Sequence, residues 1–244
     1  GSSTAWFFDP YESDHSTCGL PMEIITNDSL RVWSLEADKA GLQLSIHAIG
    51  DRANSFVLDM FEEIVKTNPA RDRRFRIEHA QHLRMTDVTR FKKLGVIASA
   101  QPYHCIDDGV WAHKRIGKER VSSSYRFKQM LDEGVNLCFG SDWTVAPLNP
   151  LLGIYAAVTR RTLDGKNPDG WIPDQKISVE DAVRGYTINN AYAAFMDDKL
   201  GTIETGKYAD FTILDRNIFK IDPEEIKETK VLYTIVDGKI VYKR

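Results

Sequence analysis

Along the first two thirds of the chain, apolar and polar positions recur in one order. A short apolar run comes first, then a polar corner, then a stretch with apolar residues three or four apart. The first run is Leu42-Gln43-Leu44-Ser45-Ile46-His47. It follows Gly41, a C-cap signal for a helix over 30–39. After the turn at Gly50-Asp51, the spacing of Phe56, Met60, Phe61, Ile64 and Val65 predicts an amphipathic helix that ends at Asn68-Pro69. The second run, Arg74-Phe75-Arg76-Ile77-Glu78-His79, alternates and stops at a histidine. A helix capped by Thr86 carries Val88, Phe91 and Leu94 and closes at Gly95. The third run is Val96-Ile97-Ala98-Ser99-Ala100-Gln101, ended by Pro102. The stretch 103–123 reads as a long functional loop, and a helix over 124–132 closes at Gly134. The fourth run, Val135-Asn136-Leu137-Cys138-Phe139, leads into Gly140-Ser141-Asp142, and a helix starts near Pro150. Alternating βα units predict a parallel sheet, either a barrel or a doubly wound layer.

After Ile177 the pattern changes. Ser178 with Asp181 forms a capping-box variant before another periodic helix. Phe211-Thr212-Ile213-Leu214 reads as a strand, and residues 223–226 as a short helical turn. Residues 231–236 and 239–242, joined by Asp237-Gly238, read as a hairpin with a type I′ turn.

Composition narrows the class. With 244 residues, 42% hydrophobic and 27% charged, the chain has ordinary globular composition and length enough for a real core. The 32 basic against 35 acidic residues leave a net charge of −3, which argues against nucleic acid as the partner. No apolar stretch approaches the ~20 residues of a membrane span. Gly1-Ser2-Ser3-Thr4 is not a basic region followed by an apolar one, so no signal peptide is expected at this start. Three cysteines, an odd number with no zinc-motif spacing, point to a reducing, cytoplasmic compartment.

The chemistry sits at the ends of the runs. His47 and His79 end two strands, and Asp142 follows a third. In a parallel βα sheet these ends share one side, where barrel enzymes keep their active sites. Two imidazoles and a carboxylate are the ligand types that hold Zn²⁺ or a similar ion. A histidine ending a strand is also an ordinary structural residue, and the residues alone leave both readings open. His82 reads as a surface or supporting residue, His15 and His113 as exposed. Strand alternation points Glu78 away from His79, toward the helix layer. Cys138 reads as a core thiol; Cys105, beside His104, is a nucleophile candidate without an orienting group.

Several segments occur together and in order: His47-Ala48-Ile49-Gly50-Asp51-Arg52-Ala53, Ile77-Glu78-His79-Ala80-Gln81, Gln101-Pro102-Tyr103-His104 and Phe139-Gly140-Ser141-Asp142-Trp143. Together they resemble the amidohydrolase superfamily of metal-dependent hydrolases, in the branch of N-substituted formamide deformylases. Leu200 to Asp210 and Val236-Asp237-Gly238-Lys239 resemble that family's returning β-sandwich. The opening Thr4-Ala5-Trp6 with Pro10-Tyr11 resembles its segment after the fourth barrel strand. The resemblance implies an α/β fold: strands five to eight of a TIM-like (β/α) barrel over 1–195, and the C-terminal part of a small β-sandwich over 196–244. It implies His47 and His79 as metal ligands, Asp142 as metal ligand and proton shuttle, and His104 facing the substrate. Asp51 and Trp143 match family positions near the site. The cofactor implied is a divalent metal, zinc, with one or two ions in the complete enzyme. The implied activity is hydrolysis of C–N bonds in amide or formamide small molecules by metal-activated water.

The chain also departs from the pattern. It contains no His-x-His pair, which the family carries at strand one, and no residue corresponding to strand four. It therefore reads as a C-terminal half, inactive by itself and expected to associate with its own copy or with the missing N-terminal half. The rival reading is a non-catalytic binding or interaction protein on the same scaffold that lacks the metal site. A doubly wound phosphate-binding domain would need a glycine-rich loop after a strand, and Gly50, Gly95 and Gly140 are isolated.

Overall fold

The computed structural model describes residues 3–244. Gly1 and Ser2, the start of the segment read above for a leader pattern, lie outside the described residues. The chain divides into two compact units, Gly1–Ala100 with Asp107–Leu137, and Gln101–Ile106 with Cys138–Arg244.

The first unit begins with helices α1 (Glu23–Thr26) and α2 (Ser29–Lys39). It continues as β1 (Ser45–Ala48), α3 (Asp51–Thr67), β2 (Arg76–His79), α4 (Met85–Leu94) and β3 (Ile97–Ala100). Helix α5 (Pro102–Asp108) spans the change of unit, and α6 (Ala112–Ile116), a 3-10 turn over Arg120–Ser123 and α7 (Phe127–Asp132) follow. Strand β4 (Leu137–Phe139) completes a four-stranded sheet of order β1-β2-β3-β4, in which β1, β2 and β3 run parallel. Ala98 N–H donates to the Asn136 carbonyl at 2.9 Å.

Helix α3 buries Val57, Leu58, Met60, Phe61 and Ile64, and the Phe61 ring meets that of Phe75 at 4.6 Å. Val65, from the same periodic set, is 39% exposed. The helix stops at Asn68, whose extended backbone is what the following proline demands. The Asn68 side chain then donates to buried Asp38 at 2.9 Å, where Arg71 (2.7 Å) and Arg73 (3.0 Å) also converge. Burial alone would raise the Asp38 pKa; the donors from Arg73, Asn68 and Arg71 outweigh it and hold the carboxyl below its ordinary value.

Three sequence expectations change here. The strands are shorter than the apolar runs, so Leu42, Leu44 and Arg74 fall outside them. Stretch 103–123 is largely helical: Pro102 pre-sets the first turn of α5, and its own short helices supply backbone partners. Helix α4 begins two residues earlier than a Thr86 cap allows, with Arg84 at the N-cap and no side-chain cap bond. Asp87 in its first turn is buried and binds Ser55 of α3, Arg84 (2.9 Å) and Arg90 (3.1 Å).

The second unit contains α8 (Pro150–Thr159), a 3-10 turn at Pro173–Gln175, α9 (Val179–Tyr186) and α10 (Ile188–Ala193). Ser178 caps α9 as the sequence suggests, its Oγ accepting from Asp181 N–H at 3.0 Å; at α8, Asn149 Oδ1 accepts from Leu151 N–H at 3.0 Å. Gly153 lets α8 and α9 close together, since a Cβ there would lie 1.8 Å from the Tyr186 hydroxyl. The chain ends as β5 (Phe211–Leu214), a 3-10 turn at Pro223–Glu228, β6 (Val231–Val236) and β7 (Lys239–Lys243), an antiparallel sheet of order β5-β6-β7. Asp237 and Gly238 both have positive φ (50° and 72°), as a type I′ turn requires.

Candidate metal centre

Within the first unit, His47 and His79 come together at the carboxyl ends of neighbouring parallel strands. Their ring centroids are 4.3 Å apart, edge to face at 73°. The register alone would separate them. His47 pairs with Glu78, and His79 pairs with Ala48, so strict alternation sets the two histidines on opposite faces. The backbone resolves this: His79 (φ 75°) and Ala80 (φ 44°) are left-handed, which ends the pleat at the imidazole. His47 is exposed and His79 is 9% exposed. Glu78 corrects an expectation. It stands on the polar face, accepting from Ser45 Oγ at 2.6 Å and pairing with Arg76, not toward the helices that cover Ile77 and Ala48.

Asn54, which the sequence reading missed, holds the two strand exits in place. Its Nδ2 lies 2.9 Å from the Gly50 carbonyl and 3.2 Å from those of Ala48, Ile49 and His82. The signal was there: a polar residue in phase with the buried face of α3. Gly50 matters for a different reason, because a Cβ there would meet the Trp6 carbonyl oxygen at 2.0 Å.

His82 is buried, contrary to a surface placement. Its Nδ1 is 2.8 Å from Ser124 Oγ, and its Nε2 is 3.2 Å from Gln81 Nε2. The Gln81 amide also donates to Asp108 (2.5 Å), which accepts from the Tyr125 hydroxyl at 2.6 Å. Burial, with the Arg120 cation second, pushes the His82 pKa down to about 3, so the ring is neutral. Asp51, beginning α3, has its pKa raised, chiefly by burial, while Phe8 N–H donates to its Oδ1 at 2.9 Å.

Within the second unit, His104 Nε2 and Asp142 Oδ2 are 3.1 Å apart. His104 lies in the first turn of α5. Asp142 sits at φ 57° just beyond β4, its carbonyl accepting from Val145 N–H at 2.8 Å. The strand exit before it is pinned: Asn190 Nδ2 donates to the Phe139 carbonyl (2.9 Å), and the Tyr186 hydroxyl to that of Gly140 (3.3 Å). Cys105 is fully buried, which removes it as a nucleophile for a dissolved substrate; Cys138 is buried as a core thiol should be. Trp143 is 65% exposed.

The donor chemistry suits a divalent cation. An adjacent imidazole pair in one unit, and an imidazole with a carboxylate in the other, are the nitrogen and oxygen ligands that Zn²⁺ and similar ions take.

The amidohydrolase family profile matches residues 1–242. Protein LONG AFTER FAR-RED 3 of Arabidopsis thaliana is 44% identical over 99% of this chain and 41% of its own length. The N-substituted formamide deformylase of Arthrobacter pascens is 32% identical over 86% of this chain and 38% of its own length. The crystal structure of an uncharacterized metal-dependent hydrolase from Pyrococcus horikoshii OT3 superposes with a TM-score of 0.79 at 35% identity, covering 92% of this chain and 44% of the hydrolase. The chain thus spans less than half the length of each of these relatives.

Proposed function

The chain belongs to the amidohydrolase family, and from that membership we propose that it forms part of a metal-dependent hydrolase for C–N bonds of amide or formamide small molecules. The observation that carries this reading is the His47–His79 pair, 4.3 Å apart at neighbouring strand ends. The likeness to a formamide deformylase supports the substrate class. In this proposal His47, His79 and Asp142 hold the ion, and β1 to β4 correspond to barrel strands five to eight. The barrel part covers 1–195 and the sandwich part 196–244.

A divalent ion, proposed to be zinc, would supply Lewis acidity that lowers the pKa of water and polarises the scissile carbonyl. The Asp142 carboxylate takes the proton of the attacking water and returns it to the leaving nitrogen. The hydrogen bond to His104 Nε2 orients Asp142 Oδ2 for that transfer. As the tetrahedral oxyanion grows, the His104 N–H turns to donate to it. These 244 residues contain no His-x-His pair, and the isolated chain is proposed to hydrolyse little or nothing and to associate with its own copy or with an N-terminal half. Three thiols without a disulfide support a cytoplasmic setting.

Elemental analysis of the purified chain, beside the His47→Ala, His79→Ala double variant, tests the reading. Near-stoichiometric zinc or a similar ion, lost in the double variant, is expected. A well-folded chain without metal, or one whose metal survives both substitutions, would overturn it.

A further inference from the structure

The His79 ring reaches His47 through two successive left-handed residues, His79 (φ 75°) and Ala80 (φ 44°). Such conformations persist only where the surroundings over-determine them. Ala80 has no polar side chain with which to hold itself there. The chain beyond it is held instead, at three successive residues. The Gln81 carbonyl accepts from Tyr125 N–H at 2.8 Å, His82 N–H donates to the Ile49 carbonyl at 3.0 Å, and Leu83 N–H donates to that of Ser123 at 3.1 Å.

Side chains secure the same segment. Gln81, His82, Asp108, Ser124 and Tyr125 are all buried, and each hydrogen-bonds to another of the group. Apolar residues would fill this space without the cost of burying polar groups, so the network serves orientation more than packing. Asp108 Oδ2 accepts from the Tyr125 hydroxyl (2.6 Å) and from Gln81 Nε2 (2.5 Å), which turns the Gln81 amide with its nitrogen inward. The second N–H of that nitrogen faces His82 Nε2 at 3.2 Å. The neutral His82 ring then carries its proton on Nδ1 and donates it to Ser124 Oγ at 2.8 Å. Each member thus fixes the direction of the next.

We propose that Gln81, backed by Asp108 and Tyr125, is a positioning residue for the metal site: the network locks the turn after His79 and so holds its imidazole beside that of His47. This rests on the hydrolase reading of the histidine pair. It adds that the pair's geometry is set by buried residues that do not touch the ion.

The test measures zinc affinity, by competition with a chromophoric chelator, beside the thermal stability of the EDTA-treated chain. The parent is compared with Gln81→Met, which keeps side-chain length and removes the amide, and with Tyr125→Phe, which keeps the ring and removes one donor to Asp108. Loss of a group that orients a metal ligand costs about 10–100-fold in affinity. Each variant, folded at the temperature of measurement, is expected to bind zinc about tenfold more weakly. Its Co²⁺-loaded form is expected to show a changed visible absorption spectrum, the mark of altered ligand geometry. Should Gln81→Met not fold, Tyr125→Phe is judged by the same criteria. A lower melting temperature with zinc affinity and Co²⁺ spectrum like the parent's would mean a role in folding alone, and would overturn the proposal while leaving the hydrolase reading intact. A folded parent that binds no zinc would overturn that reading and this proposal with it.

Discussion

At the scale of single residues, four histidines with similar sequence settings take different roles because their surroundings differ. His47 and His79 meet because a left-handed residue ends the strand. His104 faces a carboxylate. His82 is sealed in a polar cluster and kept neutral. That neutrality has a measurable consequence. An unfolded imidazole titrates near 6.5 and the folded His82 near 3. Between those values the unfolded chain binds one more proton, so stability falls as pH falls, by up to ~1.4 kcal/mol per unit. The Asp38 and Asp87 carboxyls, depressed in the fold, lose their stabilising charge only at lower pH, as acid passes below the ordinary aspartate range. In the window from pH 6.5 to 4.5 His82 therefore destabilises the fold as acid is added, opposed by Asp51, whose raised pKa makes the folded chain take up its proton first. In His82→Asn, urea midpoints measured across that window should change less with pH than in the parent. An identical slope would refute the role of burial.

Between elements, a few polar residues do the joining. Asp87 ties α4 to Ser55 of α3 and is almost fully buried. Burial opposes its charge, yet hydrogen bonds from Arg84, Ser55 and Arg90 keep its pKa low. Asp87→Ala removes the acceptor from all three donors and is expected to cost about 2–4 kcal/mol by chemical denaturation. Gly50→Ala drives a methyl into the Trp6 backbone carbonyl, which no rotamer change can relieve. A loss of about 2–3 kcal/mol is expected. Gly41→Ala, where a Cβ meets nothing within 4 Å but φ is +84°, serves as a control for backbone strain alone and should cost about 1 kcal/mol. Equal effects of the two glycine substitutions in thermal melts would mean that the Trp6 contact contributes nothing.

For the whole molecule, the chain's length against its relatives is the governing fact: it spans less than half of each. Strand β1 lies at one edge of the parallel sheet and β7 at one edge of the antiparallel sheet. Large apolar side chains stand exposed in both units, Trp33 (60%) and Leu42 (59%) in the first, Ile240 (61%) and Val241 (62%) in the second. Sheet edges and exposed apolar groups favour association. Sedimentation velocity is expected to find dimers or larger species at micromolar concentration. A stable monomer would show that these surfaces need no cover. Among the described residues, no helix is long and apolar enough to cross a membrane.

The order of strands and helices was legible because burial on one side imposes a period that any reader can count. The helix over 30–39, α3 and its stop at Asn68-Pro69, the Ser178 cap and the Asp237-Gly238 turn all follow from local chemistry. The residues ending the strands, His47, His79 and Asp142, were visible for the same reason. What no local pattern carries is geometry that depends on partners distant in sequence. The helices inside 102–123 were hidden because their stability comes from packing, not periodicity. The neutral state of His82 depends on burial among residues distant in sequence, with the Arg120 cation second. The meeting of His47 with His79 runs against strand alternation and rests on two left-handed backbone positions, His79 and Ala80, while Asn54 bonds to the carbonyls of Gly50 and His82 that follow the two strands. Sequence determined which groups were available; the tertiary structure decided which of them could meet.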